Sequence, residues 1–267
     1  MESGSAIEQT CLTRISHAAL LGRSLNPMKP TLPLFLALTS LANAGDLPTL
    51  MTTRGKLLVE ENFAEPLPPF DGKSNGFASG FKSWRYNAAE RGGHWEVKDG
   101  TFTGAENPAV QHPATASRGF DFKDVVIQCE LRLNDVPLEG RKYRMMHVRT
   151  TDTKDYVCSV ILNEGGFRIQ KDDNDHAGPD KAVPLGEFKT PLKLGEWHTV
   201  VFEILGEEMV GTVDGHSLTG THPLIGSAKH SIMFVAGVDG SVRNFKVWEA
   251  LPNPAWEKNK AKVQTAK

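Results

Sequence analysis

A long run in which apolar and polar side chains strictly alternate constrains a chain more than any other local feature, because it suits a half-buried β-strand and no helix. In FKDVVIQCELRLND, the residues Val125, Ile127, Cys129, Leu131 and Leu133 point one way, while Gln128, Glu130 and Arg132 point the other. RKYRMMHVRT, DYVCSVILN and GFRIQK follow at short spacing, which predicts consecutive antiparallel neighbours joined by brief turns. In WHTVVFEILGEEMVGTVDGHSL the alternation at Val200, Phe202 and Ile204, a turn around Gly206 and the tight-turn pair Asp214-Gly215 predict two successive hairpins. SIMFVAG and SVRNFKVWEA read as closing strands, with Gly237 to Gly240 turning between them.

No segment after residue 50 keeps a helical period over three turns, so a parallel α/β architecture is excluded and the fold class is all-β. One domain over residues 53–250 is expected. Two stretches break the pattern and read as long surface loops: Phe63 to Tyr86, rich in Pro, Gly, Phe and Ser, and Asp172 to Pro191, which carries DDNDHAGPDKA. The basic segment 251–267 lacks a core pattern and reads as an exposed tail.

Thirty Lys plus Arg stand against 32 Asp plus Glu, with no block of like charge long enough to track phosphates, so nucleic acid is not an expected partner. Near the N-terminus, Met28-Lys29, the apolar run Leu32 to Leu41 and the small-x-small site Ala42-Asn43-Ala44 have the form of a signal peptide, residues 28–44. Its apolar run is about half of the roughly 20 residues that span a bilayer, so no stable membrane anchor is expected. Residues 1–27, which precede this start, read as an extension outside the fold, and the mature protein as secreted or periplasmic.

Cys129 and Cys158 are too few for a disulfide scaffold and sit on apolar faces, where a free Cys packs as a small core residue. If their strands flank the strand around 141–149, they lie roughly 9–10 Å apart, beyond the about 7 Å that a disulfide tolerates.

HWEVKDGTFTG, FDFKDVVIQCELRL, LGEWHTVVFEILGEEMVGTVDG and SVRNFKVWEA, in that order and spacing, resemble the 3-keto-disaccharide hydrolase family of exported bacterial proteins, over roughly Leu57 to Ala250. The resemblance implies a concanavalin A-like jelly-roll sandwich of two antiparallel sheets with carbohydrate bound on the concave one. It also implies cleavage of an oxidised glycoside: a 3-keto group acidifies the neighbouring ring hydrogen, which a base could remove. A non-catalytic carbohydrate-binding module and a laminin-G-like interaction domain are the alternatives. No strand carries Glu, Asp and Glu at alternate positions, which disfavours a retaining glucanase. Nucleotide and acyl-transfer motifs are absent.

Alternation places Tyr143, Met145, His147 and Arg149 on one face and Arg144, Met146 and Val148 on the other. His147 is the expected base, with Glu164 as the second catalytic candidate. Tyr143, Arg149, Tyr156, Arg168, Gln170, Lys171 and His176 are the candidate hydroxyl partners. Trp84, in the irregular stretch, is the candidate sugar platform, whereas Trp95, Trp197 and Trp248 read as core residues. No cofactor fingerprint is present. Asp172, Asp173, Asp175, His176 and Asp180 leave a divalent metal ion open, although they complete no ion-loop pattern.

Overall fold

The computed structural model describes residues 45–66, 77–81, 84–87, 93–175, 178–179 and 181–265. The expected leader, His176 and Asp180 lie outside them. Along the chain run β1 (Thr52–Glu61), β2 (Phe77–Phe81), β3 (Trp84–Asn87), β4 (Gly93–Lys98), β5 (Thr101–Glu106), β6 (Ala114–Phe122), β7 (Val125–Leu133), β8 (Met145–Thr151) and β9 (Tyr156–Asn163). They are followed by β10 (Gly166–Lys171), β11 (Val183–Phe188), β12 (His198–Leu205), β13 (Glu208–Val213), β14 (His216–Thr221), β15 (Lys229–Ala236), β16 (Asp239–Pro252), a short helix α1 (Trp256–Lys260) and β17 (Gln264–Thr265).

Two sheets form. One runs β17-β14-β13-β12-β7-β16-β5-β4, with β1 added against the second half of β16; the other runs β11-β10-β9-β8-β15-β6-β3-β2. All pairings are antiparallel except the short β14–β17 contact. The inward faces meet in one core built from the alternate residues that the sequence marks: Val125, Ile127, Cys129, Leu131 and Leu133 from β7 face Met146 and Val148 from β8 and Val160 and Leu162 from β9. The fold is thus an all-β jelly-roll sandwich.

The β12–β13 and β13–β14 hairpins form as expected. Asp214 and Gly215 both adopt positive φ (49° and 82°), as a two-residue turn matched to strand twist requires. The strand order is different from the expected one. β7 pairs with β12 and β16, whereas β8 pairs with β9 and β15 in the opposite sheet. Cys129 and Cys158 are buried free thiols, as expected, but because they stand in different sheets rather than two strand spacings apart in one.

Five further expectations are corrected. The stretch from Phe63 to Tyr86 is not simply a surface loop: Phe63 is buried in the core, and β2 and β3 extend the second sheet. Trp84, on β3, is 1% exposed and rests among Phe63, Phe102, Phe234 and Phe245, with ring centroids 5.3–6.0 Å away. It cannot serve as a sugar platform. Within Asp172 to Pro191, β11 pairs with β10. The segment after residue 250 is not a free tail, since Trp256 and Val263 pack against Met51 and Val210, and Lys260 pairs with Glu208 at 2.6 Å. Trp197 and Trp248 also stand outside the central core: Trp248 covers Val126 and Val201 on the outer face of the first sheet, and Trp197 meets the guanidiniums of Arg132 and Arg243 at 4.5 and 4.2 Å.

Candidate functional site

Cross-strand partners share a face, so the register of the second sheet assembles its outer surface directly. One row reads Val235, His147, Ile161, Arg168, Glu187 across β15, β8, β9, β10 and β11. The neighbouring row reads Met233, Arg149, Ser159, Gln170. His147, Arg149, Tyr156, Arg168 and Gln170 therefore meet on one sheet face. Lys171 does not: it pairs with Cys158, whose thiol is in the core, and its Nζ donates to the Lys181 carbonyl at 3.0 Å.

A carboxylate that the sequence assigns only to the rim of a loop organises this face. Asp172 is 1% exposed, at the end of β10, and accepts hydrogen bonds from Arg149 Nε and Nη2 (3.2 Å each), Ser159 Oγ (3.1 Å) and Gln170 Nε2 (2.6 Å). The Arg149 guanidinium also lies 4.1 Å from the ring centre of Tyr156, and burial above all pushes the Tyr156 phenol up. Asp172 is thus engaged, Asp175 pairs with Lys181 at 2.8 Å, and among the described residues no group of three or more His, Cys, Asp or Glu is placed to hold a metal ion.

His147 is only 6% exposed. Burial foremost, then the Arg149 and Arg168 guanidiniums, hold it well below the ordinary histidine value, so it is neutral. Arg149 Nη2 donates to its Nδ1 at 3.3 Å, which leaves the ring proton on Nε2, beside Met145 Sδ at 3.3 Å. Its one lone pair is therefore already engaged by a guanidinium, a poor starting arrangement for a base.

The concavity lies one step along the same strands. A depression of about 630 Å3 is lined by Lys142, Tyr143, Arg144, Met145, Ile161, Asn163, Glu164, Gly165 and Arg168. It brings Tyr143, Glu164 and Arg168 together. Tyr143, just before β8, is 67% exposed, and Glu164 sits in the β9–β10 turn in an ion pair with Arg144. A second hollow of about 340 Å3, lined in part by Glu106, Arg141, Lys142, Tyr143 and Met145, adjoins it across Tyr143. The sequence reading put Arg144 on the opposite face. Because β8 begins only at Met145, strand alternation does not govern Arg144, and it joins the depression. Asn163, the last residue of β9, and Lys142, which precedes β8, carry no local signal.

A further pair escapes sequence reading altogether. His198 Nδ1 donates to Asp214 Oδ2 at 2.6 Å and its Nε2 to the Lys193 carbonyl at 3.1 Å, beside a hollow of about 220 Å3 that Phe167, Phe188 and His216 help to line. With both nitrogens engaged the pair clamps the β12–β13 hairpin and offers no free lone pair.

No family model and no curated protein sequence matches this chain. Among solved structures, the sandwich is similar to the carbohydrate-binding module CBM66 from Bacillus subtilis, at 13% identity over 65% of this chain and 99% of that one, with a TM-score of 0.51. It is also similar to a protein of unknown function with a galectin-like fold from Bacillus subtilis (12% identity, 76% and 100% coverage, TM-score 0.50). A third is the CBM2 module of the evolved Dit of Lactobacillus casei BL23 phage J-1 (9% identity, 75% and 98% coverage, TM-score 0.50). At such identities the likeness establishes the jelly-roll fold.

Proposed function

We propose that this is an exported carbohydrate-binding domain whose ligand occupies the depression beside β8 and β9. The observation that carries the reading is the exposed ring of Tyr143, 67% accessible, standing at a concavity with the amide of Asn163, the carboxylate of Glu164 and the guanidinium of Arg168. A flat aromatic face takes the apolar side of a sugar ring, and directional donors and acceptors take its hydroxyls. The carbohydrate-binding module CBM66, which shares this fold, supports the ligand class, and the leader-like residues 28–44 support export. Glycan-array binding by the full chain, repeated with Tyr143→Ala, tests it: binding should be lost in the variant with the fold unchanged. N-terminal sequencing of secreted material should start near Gly45.

Cleavage of a 3-keto glycoside is the second reading, favoured by the sequence resemblance and by one feature of the depression. Glu164 is a half-exposed carboxylate in it, flanked by Arg144 and Arg168. A carboxylate can take the acidified ring hydrogen, a guanidinium can stabilise the enolate that forms, and the enolate then breaks the C1–O bond to expel the leaving sugar, whose oxygen takes back the proton held by the carboxylic acid. Released monosaccharide from a 3-keto-disaccharide, absent with its unoxidised parent and with Glu164→Gln, is the expected result; binding without release would leave the domain as a binding module.

A further inference from the structure

A guanidinium drawn out of bulk water is costly unless its donors are met, so half-buried arginines are ordinarily paired. Around the depression three arginines obey this rule. Arg149 forks onto Asp172, Arg144 meets Glu164 and the Val136 carbonyl, and Arg141 donates to backbone carbonyls including those of Leu138 and Val238. Arg168 does not. Among the described residues its side chain makes no hydrogen bond or ion pair; its Nε is buried without a partner, as is that of Arg144, but Arg144 has both of its Nη atoms met. Among the described residues, the carboxylates nearest to it in the sheet are committed elsewhere: Asp172 and Glu164 as above, and Glu187, its own cross-strand neighbour, to Lys189 at 3.3 Å.

We propose that Arg168 is an anion-recognition residue and that the ligand of the depression is an acidic oligosaccharide, one of whose uronate carboxylates takes the Arg168 fork. The inference rests on the carbohydrate reading above and narrows it to one substrate class. The planar guanidinium matches a carboxylate with two parallel N–H donors, a geometry that a hydroxyl cannot reproduce. Among the described residues that line the depression, Lys142, Arg144 and Arg168 stand against the one carboxylate of Glu164, so its field favours a negative ligand. The hollow across Tyr143 gives the next sugar a place, and there Arg141 is already engaged with carbonyls, so the charged unit belongs on the Arg168 side.

Isothermal titration of the full chain with tri-uronates (galacturonate, glucuronate and mannuronate), the matching neutral trisaccharides and the neutral trisaccharides bearing sulfate tests this. One uronate should bind at least about tenfold more tightly than its neutral counterpart, with affinity falling as salt rises. Arg168→Gln should lower that affinity roughly 10- to 100-fold, and Arg168→Lys should recover only part of it. The melting temperature of Arg168→Gln should equal or exceed that of the parent, because no partner is orphaned. Neutral and acidic sugars bound equally, with Arg168→Gln indifferent, would overturn the inference and leave the carbohydrate reading intact. Arg168-dependent preference for the sulfate ester would overturn the carboxylate assignment, as would a lowered melting temperature in Arg168→Gln. Binding to no glycan would overturn both readings.

Discussion

Both ring nitrogens of His198 face acceptors, Asp214 Oδ2 and the Lys193 carbonyl, so the imidazolium is the form that satisfies both contacts. The hydrogen bond to Asp214, chiefly, raises its folded-state pKa above 6.5. Burial pulls the Asp214 carboxyl up, but bonds from His198 and Thr199 outweigh it and the net value lies below 3.8. Stabilisation from the histidine is complete below 6.5 and is lost as pH rises through its folded pKa, while that from the aspartate is lost as pH falls through its own. Since Asp214 is partly exposed, the effect should be about 1 kcal/mol. Denaturant titrations at about pH 6 and about pH 9 should show that loss in the parent and a flatter dependence in His198→Gln. Trp84 gives a second expectation at this scale. With its ring among four aromatic neighbours, Trp84→Ala should cost about 3–5 kcal/mol by thermal denaturation, whereas a surface sugar platform would cost almost nothing. The sequence hid this because β3, Trp84–Asn87, is too short to show a period and is flanked by Gly, Phe and Ser.

Elements were legible as strands and much less so as neighbours. Alternation in β7, β8, β9, β10 and β12 announces which side chains share a face, and the shared face of Arg149 and Arg168 is legible for that reason. It says nothing about which strand lies alongside, and the segment between β7 and β8 carries the chain from one sheet to the other. The outer face of the first sheet was equally hidden, because it is covered by irregular backbone. Residues 45–52 cross it, with the amides of Leu50, Met51 and Thr52 donating to the buried Glu203 carboxylate at 2.8–2.9 Å and the Thr52 hydroxyl at 2.7 Å. Asn253 and Asn259 then hold the Leu50 carbonyl at 3.0 and 2.9 Å, so the segment after β16 locks the strap that precedes β1. Glu203→Gln presents an NH2 group to a set of donors and should cost about 2–4 kcal/mol. Limited proteolysis should then cut within residues 45–52 faster than in the parent, while equal cleavage rates would show that the strap is held by apolar contacts alone.

At the scale of the molecule, the two sheets share one core, and Cys129 and Cys158 report on it from opposite sides. Each thiol is fully buried; burial lifts the Cys129 thiol far above its ordinary range and the Cys158 thiol to about 12, so neither forms thiolate in the native state near neutral pH. Reaction with a thiol reagent therefore requires opening of the structure around each one. β7 holds Cys129 between β12 and β16, and β9 holds Cys158 between β8 and β10, all interior positions in their sheets. Since the inward side chains of each sheet form the cover of the other, opening one exposes both, which predicts cooperative unfolding rather than stepwise peeling. In a Cys11→Ser variant, which leaves Cys129 and Cys158 as the two thiols of the chain, neither thiol should react quickly in the native state, both should titrate in denaturant, and when unfolding limits the rate they should be labelled at the same rate, read by mass spectrometry of the two peptides. Faster labelling of Cys158 would show that the sheet bearing the candidate site opens on its own, and the ligand expected there should then slow Cys158 selectively by holding β8, β9 and β10 together.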